Sequence, residues 1–236
     1  MTEHRSYLRS LERSRRSLTR EDRPEVFAMA GREWDLLDGV FAPPFSATTG
    51  IALDVLGLTG DDEPRYRPGG SFLEIGTGTG IIAVSAALAG CARVVAADIS
   101  AAAVRNTALN AVRHGVGDRL RAVHSDLFAA LDADERFDTV YWHSNFVLAP
   151  PDYRPETQHE IAYVDPGYQA HRRYLSEAPG LLTEGGSALL QFSDRGDVAL
   201  LHEMAESCER ELLVRDRRRF LEGTEELEHI LFEIRG

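Results

Sequence analysis

Two periodicities alternate along most of the chain. Short apolar runs of strand type occupy 71–75, 93–97, 119–123 and 137–143, and stretches of helical spacing fill 80–89 and 101–114 between them. The regular pattern breaks after 143. It resumes with a helix over roughly 167–182 that stops at Glu184-Gly185-Gly186, a strand at 187–192, a helix at 196–209 and two final runs at 211–220 and 227–234. Strands alternating with helices imply a parallel sheet covered on both faces. The predicted fold is therefore α/β, a doubly wound and mostly parallel seven-stranded sheet.

Ahead of this core, residues 3–23 carry seven arginines interleaved with Tyr7, Leu8, Leu11 and Leu18, a pattern that predicts a solvated amphipathic helix packed on the domain. Pro24 opens a second helix pattern through Val26, Phe27, Met29, Ala30, Trp34 and Leu37. A stiff segment with Pro43 and Pro44 follows, where Ser46 or Thr48 can cap a helix over Ile51 to Leu58. Residues 59–70 read as a polar linker. This divides the chain into an N-terminal helical region, 1–60, and a main domain, 61–236.

Composition adds exclusions. The chain has 236 residues, 43% apolar and 27% charged, as in ordinary globular proteins. It has no apolar stretch long enough for a membrane span and no signal-peptide core, so a cytoplasmic location is expected, with no membrane partner. The two cysteines, Cys91 and Cys208, are too few for a disulfide framework or metal cluster, and no metal is expected. A net charge of −12 argues against a nucleic-acid partner, because phosphate binding relies on excess positive charge.

Candidate chemistry gathers where the first core strand ends. Ser71-Phe72-Leu73-Glu74-Ile75-Gly76-Thr77-Gly78-Thr79-Gly80 is a strand, a glycine turn and a helix start, and glycines allow the backbone to approach a ligand closely. The chain contains no lysine, which excludes a P-loop, and the spacing differs from the G-x-G-x-x-G dinucleotide fingerprint. The next strand ends in Asp98, 18 residues after Gly80, where a carboxylate meets ribose hydroxyls. The third leads into Ser125-Asp126-Leu127.

Leu73 to Gly80, Asp98 and Ser125-Asp126-Leu127 together resemble the S-adenosylmethionine (SAM) sites of class I methyltransferases, which have a Rossmann-like sheet ending in a reversed hairpin. The resemblance implies SAM as cofactor. Asp98 would accept both ribose hydroxyls, Ile99 would pack on the adenine, and Asp126 with the Leu127 amide would meet its edge. Gly76, Thr77, Gly78 and Gly80 would hold the methionine end, with Glu74 acting on turn amides or through water and Ser125 beside the adenine. The 39–50 loop is similar to that of the release-factor glutamine methyltransferase (HemK/PrmC-type) family, which makes Phe41, Pro44 and Thr49 site candidates and the N-terminal region a helical lid.

In that family an Asn-Pro-Pro-Tyr run follows the fourth strand, and its Asn side chain and first Pro carbonyl grip the acceptor nitrogen. This chain reads Asn145-Phe146-Val147-Leu148. Asn145 is kept, as a catalytic or cofactor-binding residue, but the proline platform is gone. Tyr168 is a catalytic candidate that could set its ring against a sulfonium. His171 and His143 are more readily packed histidines than bases, and Ser193-Asp194 is a candidate polar wall. The expected function is methyl transfer to N or O of a small molecule. Alternatives are a SAM cyclase forming azetidine-2-carboxylate and methylthioadenosine, a protein-glutamine methyltransferase, and a catalytically silent SAM-binding protein. The oligomeric state is not legible.

Overall fold

The structure, a computed structural model, describes residues 6–59, 63–222 and 224–236. In chain order its elements are α1 (Tyr7–Thr19), β1 (Val26–Met29), β2 (Arg32–Asp35), α2 (Thr48–Val55), β3 (Ser71–Ile75), α3 (Ile81–Leu88), β4 (Arg93–Asp98), α4 (Ala101–Arg113), β5 (Leu120–His124), β6 (Phe137–His143), β7 (Leu148–Ala149), β8 (Asp165–Pro166), α5 (Gln169–Glu177), β9 (Leu182–Ser193), α6 (Val198–Ser207), β10 (Glu211–Glu222) and β11 (Glu225–Arg235). Short 3-10 turns lie at Pro43–Phe45, Gln158–Ala162 and Ala178–Leu181.

The main sheet has seven strands in the order β10-β11-β9-β6-β3-β4-β5, with β5, β4, β3, β6 and β9 parallel and β11 antiparallel to both of its neighbours. Fold class and strand count match the sequence expectation. Alternate residues of β3 serve opposite faces: Phe72 joins one apolar core with Val94, Ala96 and Tyr141, while Leu73 and Ile75 join a second with Val95, Val140 and Trp142. α3 and α4 contribute to the first core, α5 and α6 to the second. The direction of winding reverses between β3 and β6, and open α/β sheets hold ligands in the crevice beyond such a reversal.

The second predicted helix, from Pro24, is instead the hairpin β1–β2. Ala30 (φ 50°) and Gly31 (φ 70°) form a two-residue turn with both φ positive, the requirement of a type I′ hairpin. Phe27 pairs with Trp34, and both are buried on one face, a period of two rather than 3.6. Buried Asn106 and Asn110 of α4 dock the hairpin: Asn106 accepts from Leu37 N (2.7 Å), Asn110 accepts from Asp35 N (2.8 Å), and both donate to Asp35 O. The N-terminal region is thus one helix, a hairpin and α2. α2 starts at Thr48 with Ala47 as its capping residue, rather than Ser46 or Thr48. The expected boundary after residue 60 and part of the 59–70 linker lie outside the described residues.

Candidate active site

The carboxyl ends of β3, β4, β5 and β6 form the floor of a cavity of about 410 Å³, a size suited to one bound cofactor-sized ligand. Glu74, Gly76, Thr77, Gly78, Asp98, Ile99, Ser125, Asp126, Leu127, Asn145 and Thr49 all line it, as does Phe41, with Pro43 there in place of Pro44.

The glycines divide their labour. Gly78 (φ +55°) has nothing within 4 Å of where a Cβ would stand, so that space is open to a ligand. A Cβ on Gly76 would come within 3.3 Å of Trp142 Nε1. Gly80 (φ +83°) is not among the lining residues, and its Cβ would lie 2.9 Å from Thr107. Its cofactor role is corrected to a packing one: it lets α3 start against α4. Glu74 is buried, and its Oε2 accepts from Thr77 Oγ1 (3.0 Å) and Ala83 N (2.9 Å), with burial pushing its pKa up to about 8. It therefore braces the turn and the first turn of α3.

Asp98 accepts from Gly78 N (2.9 Å) and Ser100 N (2.8 Å), one to each oxygen. Removal from bulk water raises its pKa, and those two N–H groups work the other way. Each oxygen keeps a further acceptor site, so a vicinal diol still fits. The Asp126 carboxylate is held by Arg173 Nη1, 2.9 Å from each oxygen, which ties the end of β5 to α5. Ser125 Oγ accepts from Ala130 N (3.0 Å) and shapes the turn that carries Leu127 at φ 51°.

Past β6, Asn145 Nδ2 donates to Ile161 O (2.8 Å) and Val164 O (2.9 Å), which fixes the amide and leaves its buried Oδ1 without a partner among the described residues. The next carbonyl, of Phe146, accepts from Tyr168 Oη at 2.6 Å. Tyr168 is fully buried, accepts in turn from Asp197 N (2.8 Å) and does not line the cavity, so the expected ring contact with a sulfonium is corrected. His171 is also fully buried and off the cavity, its Nδ1 2.6 Å from Asp165 Oδ2 and its ring packed against Trp142. Ser193 and Asp194 are likewise not lining residues. His143 does line the cavity, and burial holds its pKa down to about 4, keeping it neutral.

α1 forms part of the cavity wall. Its buried positions are Ser10, Ser14 and Ser17 rather than its leucines, and Leu8 is 61% exposed. Ser10, Arg13, Arg16, Ser17 and Arg20 line the cavity, and Ser14 Oγ meets His159 Nδ1 at 2.7 Å. Arg23 donates to Ser17 O (3.2 Å) and Leu37 O (3.2 Å), which ties α1 to the segment beyond the hairpin.

Residues 72–164 match a family described as a methyltransferase domain. The chain is 32% identical over 181 residues to a release factor glutamine methyltransferase of Bordetella pertussis, covering 71% of this chain and 64% of the relative. The chain carries a methyltransferase domain over these residues. A ribosomal protein L11 methyltransferase of Pelotomaculum thermopropionicum is 41% identical over 86 residues, 36% of this chain and 26% of the relative. Among solved structures, a T. thermophilus 16S rRNA methyltransferase in complex with AdoMet and guanosine aligns with a TM-score of 0.56 at 18% identity, over 88% of this chain and 49% of the other. The chain spans less than two thirds of the length of these curated relatives.

These names correct the expectation of a small-molecule acceptor with nucleic acid excluded. Proteins so similar to this methyltransferase domain are named for protein acceptors, and the same fold serves an RNA methyltransferase. A net charge of −12 is a far-field property. It says little about a cavity wall that itself carries Arg13, Arg16, Arg20 and Arg195. Among the described residues no helix is long and apolar enough to cross a membrane.

The methyltransferase domain's cavity fits SAM on its own chemistry: open space above Gly78 and a diol acceptor at Asp98. Sequence reasoning missed Trp142, His159, Arg13, Arg195 and Glu222 as lining residues. The serine spacing at 10, 14 and 17 was the available signal, because small polar residues on the inner face of a helix mark a polar cavity beneath it.

Proposed function

We propose that the chain is a SAM-dependent N-methyltransferase whose acceptor is a nitrogen carried by a protein. The observation that carries this reading is Asn145: its amide is locked through Nδ2, and Oδ1 is the acceptor left over at the cavity wall. A buried acceptor without a donor costs about 1–3 kcal/mol, a cost removed when a substrate N–H arrives. The names of the relatives support a protein as the carrier of that nitrogen.

In this reading Asp98 holds the ribose, Ile99, Asp126, Ser125 and Leu127 surround the adenine, and the Gly76-Thr77-Gly78 turn with Thr49 meets the amino-acid end. SAM supplies an activated methyl group that needs no acid to leave. The chain's own contribution is placement: Asn145 orients the acceptor nitrogen, α1 keeps water out, and neutral His143 adds no positive charge beside the donor. With Phe146 O bonded to Tyr168 Oη and its other side packed against Gly196, the site grips one N–H rather than the two of a primary amide, which favours an amine over a glutamine side chain.

A second reading draws on the same Phe146–Tyr168 bond and on α1 in the cavity wall. With one acceptor group left, the nitrogen could be the amine of SAM itself, which makes the protein a cyclase releasing methylthioadenosine. Incubation with methyl-labelled SAM decides. Label transferred to nitrogen in a mixture of ribosomal and release-factor proteins supports the first reading, and methylthioadenosine formed from SAM alone overturns it.

A further inference from the structure

Arg195 follows β9 and is 5% exposed. Its neighbour Gly196 packs against the Phe146 carbonyl, which puts Arg195 on the same wall as Asn145 and Phe146. One of its terminal nitrogens pairs with Glu222, near the tip of β10–β11, and its Nε has no hydrogen-bond partner among the described residues. Arg13 reaches the same carboxylate from α1, with Nη2 3.7 Å from Glu222 Oε1. The other lining arginines have acids of their own: Arg16 meets Glu12 at 2.8 Å, and Arg20 meets Asp22 at 2.6 Å.

The wall therefore sets Arg13 and Arg195 against Glu222, while Glu225, which also acts on Arg195, meets Arg9 at 3.6 Å. Burial, and then the nearby Arg13, depress the pKa of Arg195, and Glu222 and Glu225 offset them only in part. Buried donors are nearly always satisfied, and an orphan on a charged group is the costly kind. A ligand can supply what the fold leaves out.

We infer that Arg195 and Arg13 form a subsite for a single carboxylate of the acceptor, beside the nitrogen held at Asn145. The inference rests on the methyltransferase reading only in taking this end of the cavity as the acceptor side. A carboxylate fits because one excess positive charge is balanced by one negative charge, whereas a phosphate dianion would leave the buried wall negative. The guanidinium fork suits a planar carboxylate, and Glu222 competes with the ligand for it.

The test uses the full chain saturated with S-adenosylhomocysteine and titrated with butyrate, butyramide or inorganic phosphate, followed by NMR and by thermal unfolding. Butyrate is expected to bind and raise the unfolding temperature while butyramide does not. Arg195→Gln should weaken butyrate about tenfold or more with nucleoside affinity unchanged. Glu222→Gln should tighten it, because both guanidiniums lose their internal partner. The opposite signs of the two variants separate recognition from a general loss of folding. Equal response to butyrate and butyramide, an unchanged affinity in Arg195→Gln, or tighter binding of phosphate than of butyrate would each overturn the inference. Binding of S-adenosylhomocysteine is measured first: its absence removes the cofactor reading, and its presence without selective butyrate binding removes only the carboxylate subsite.

Discussion

Tyr168 Oη donates to Phe146 O at 2.6 Å, and Gly196 packs against the same oxygen, so the carbonyl that follows Asn145 is turned into the protein. In the Asn-Pro-Pro-Tyr family that position belongs to the acceptor. Tyr168→Phe would free the carbonyl and also orphan the Asp197 amide that Tyr168 caps. A loss of about 1–3 kcal/mol in urea denaturation is expected, with SAM affinity by calorimetry essentially unchanged. A marked fall in SAM affinity would show that Tyr168 acts on the cofactor after all.

Asn145 gives a sharper contrast. Asn145→Ala removes the acceptor oxygen together with two anchors, to Ile161 O and Val164 O. Turnover should fall by about two orders of magnitude, from lost positioning of the acceptor nitrogen, with SAM affinity changed by less than about threefold. Asn145→Asp keeps an acceptor but sets a carboxylate against two carbonyls, so it should be less stable than Asn145→Ala. Steady-state kinetics and denaturation on the same samples check both orderings.

The contrast between these two residues marks what the chain's pattern conveys. Strand ends, glycine spacing and the acids at 98 and 126 were legible because the floor of the site is built from consecutive β-α units whose period is local. Tyr168 misled because an aromatic near the site in sequence turned inward, its backbone at φ 51°, to serve as a hydrogen-bond hub. The hairpin at 26–35 was hidden because Phe27 and Trp34, seven residues apart, also fit a helical spacing, and they share a face here only by pairing across the turn. Only the positive φ of Ala30 and Gly31 breaks the tie. The arginine wall was invisible, because it joins α1 to β9 and to β10 across almost the whole chain.

The glycine turn separates folding from binding. Gly78→Ala places a methyl in open space at φ +55°, at a backbone cost of about 1–2 kcal/mol, and should weaken SAM binding by about tenfold or more because that space belongs to the ligand. Gly80→Ala pays the same backbone cost and also drives a Cβ to within 2.9 Å of the Thr107 backbone, so it should destabilise the fold more than Gly78→Ala does. Thermal unfolding of both variants without ligand, followed by calorimetry with SAM, reads the two effects apart. Equal stability of the two would contradict the assignment of Gly80 to packing.

Glu74 makes the stability of the ligand-free protein depend on pH. Its folded pKa of about 8 lies above the ordinary value of 4.5, so the fold prefers the protonated acid. Oε2 takes both donors, from Thr77 and Ala83, which leaves the proton for Oε1. A group raised in the folded state contributes fully below its unfolded pKa, and that contribution is lost as pH climbs through the folded one. Between about pH 5 and pH 8 the protein should lose stability on the order of 3–5 kcal/mol from this group. Glu74→Gln keeps a neutral acceptor for the same two donors and should flatten that part of the curve. Urea denaturation of both proteins at pH 5, 6.5 and 8 checks it, and parallel curves would mean that Glu74 is ionised in the folded protein at neutral pH.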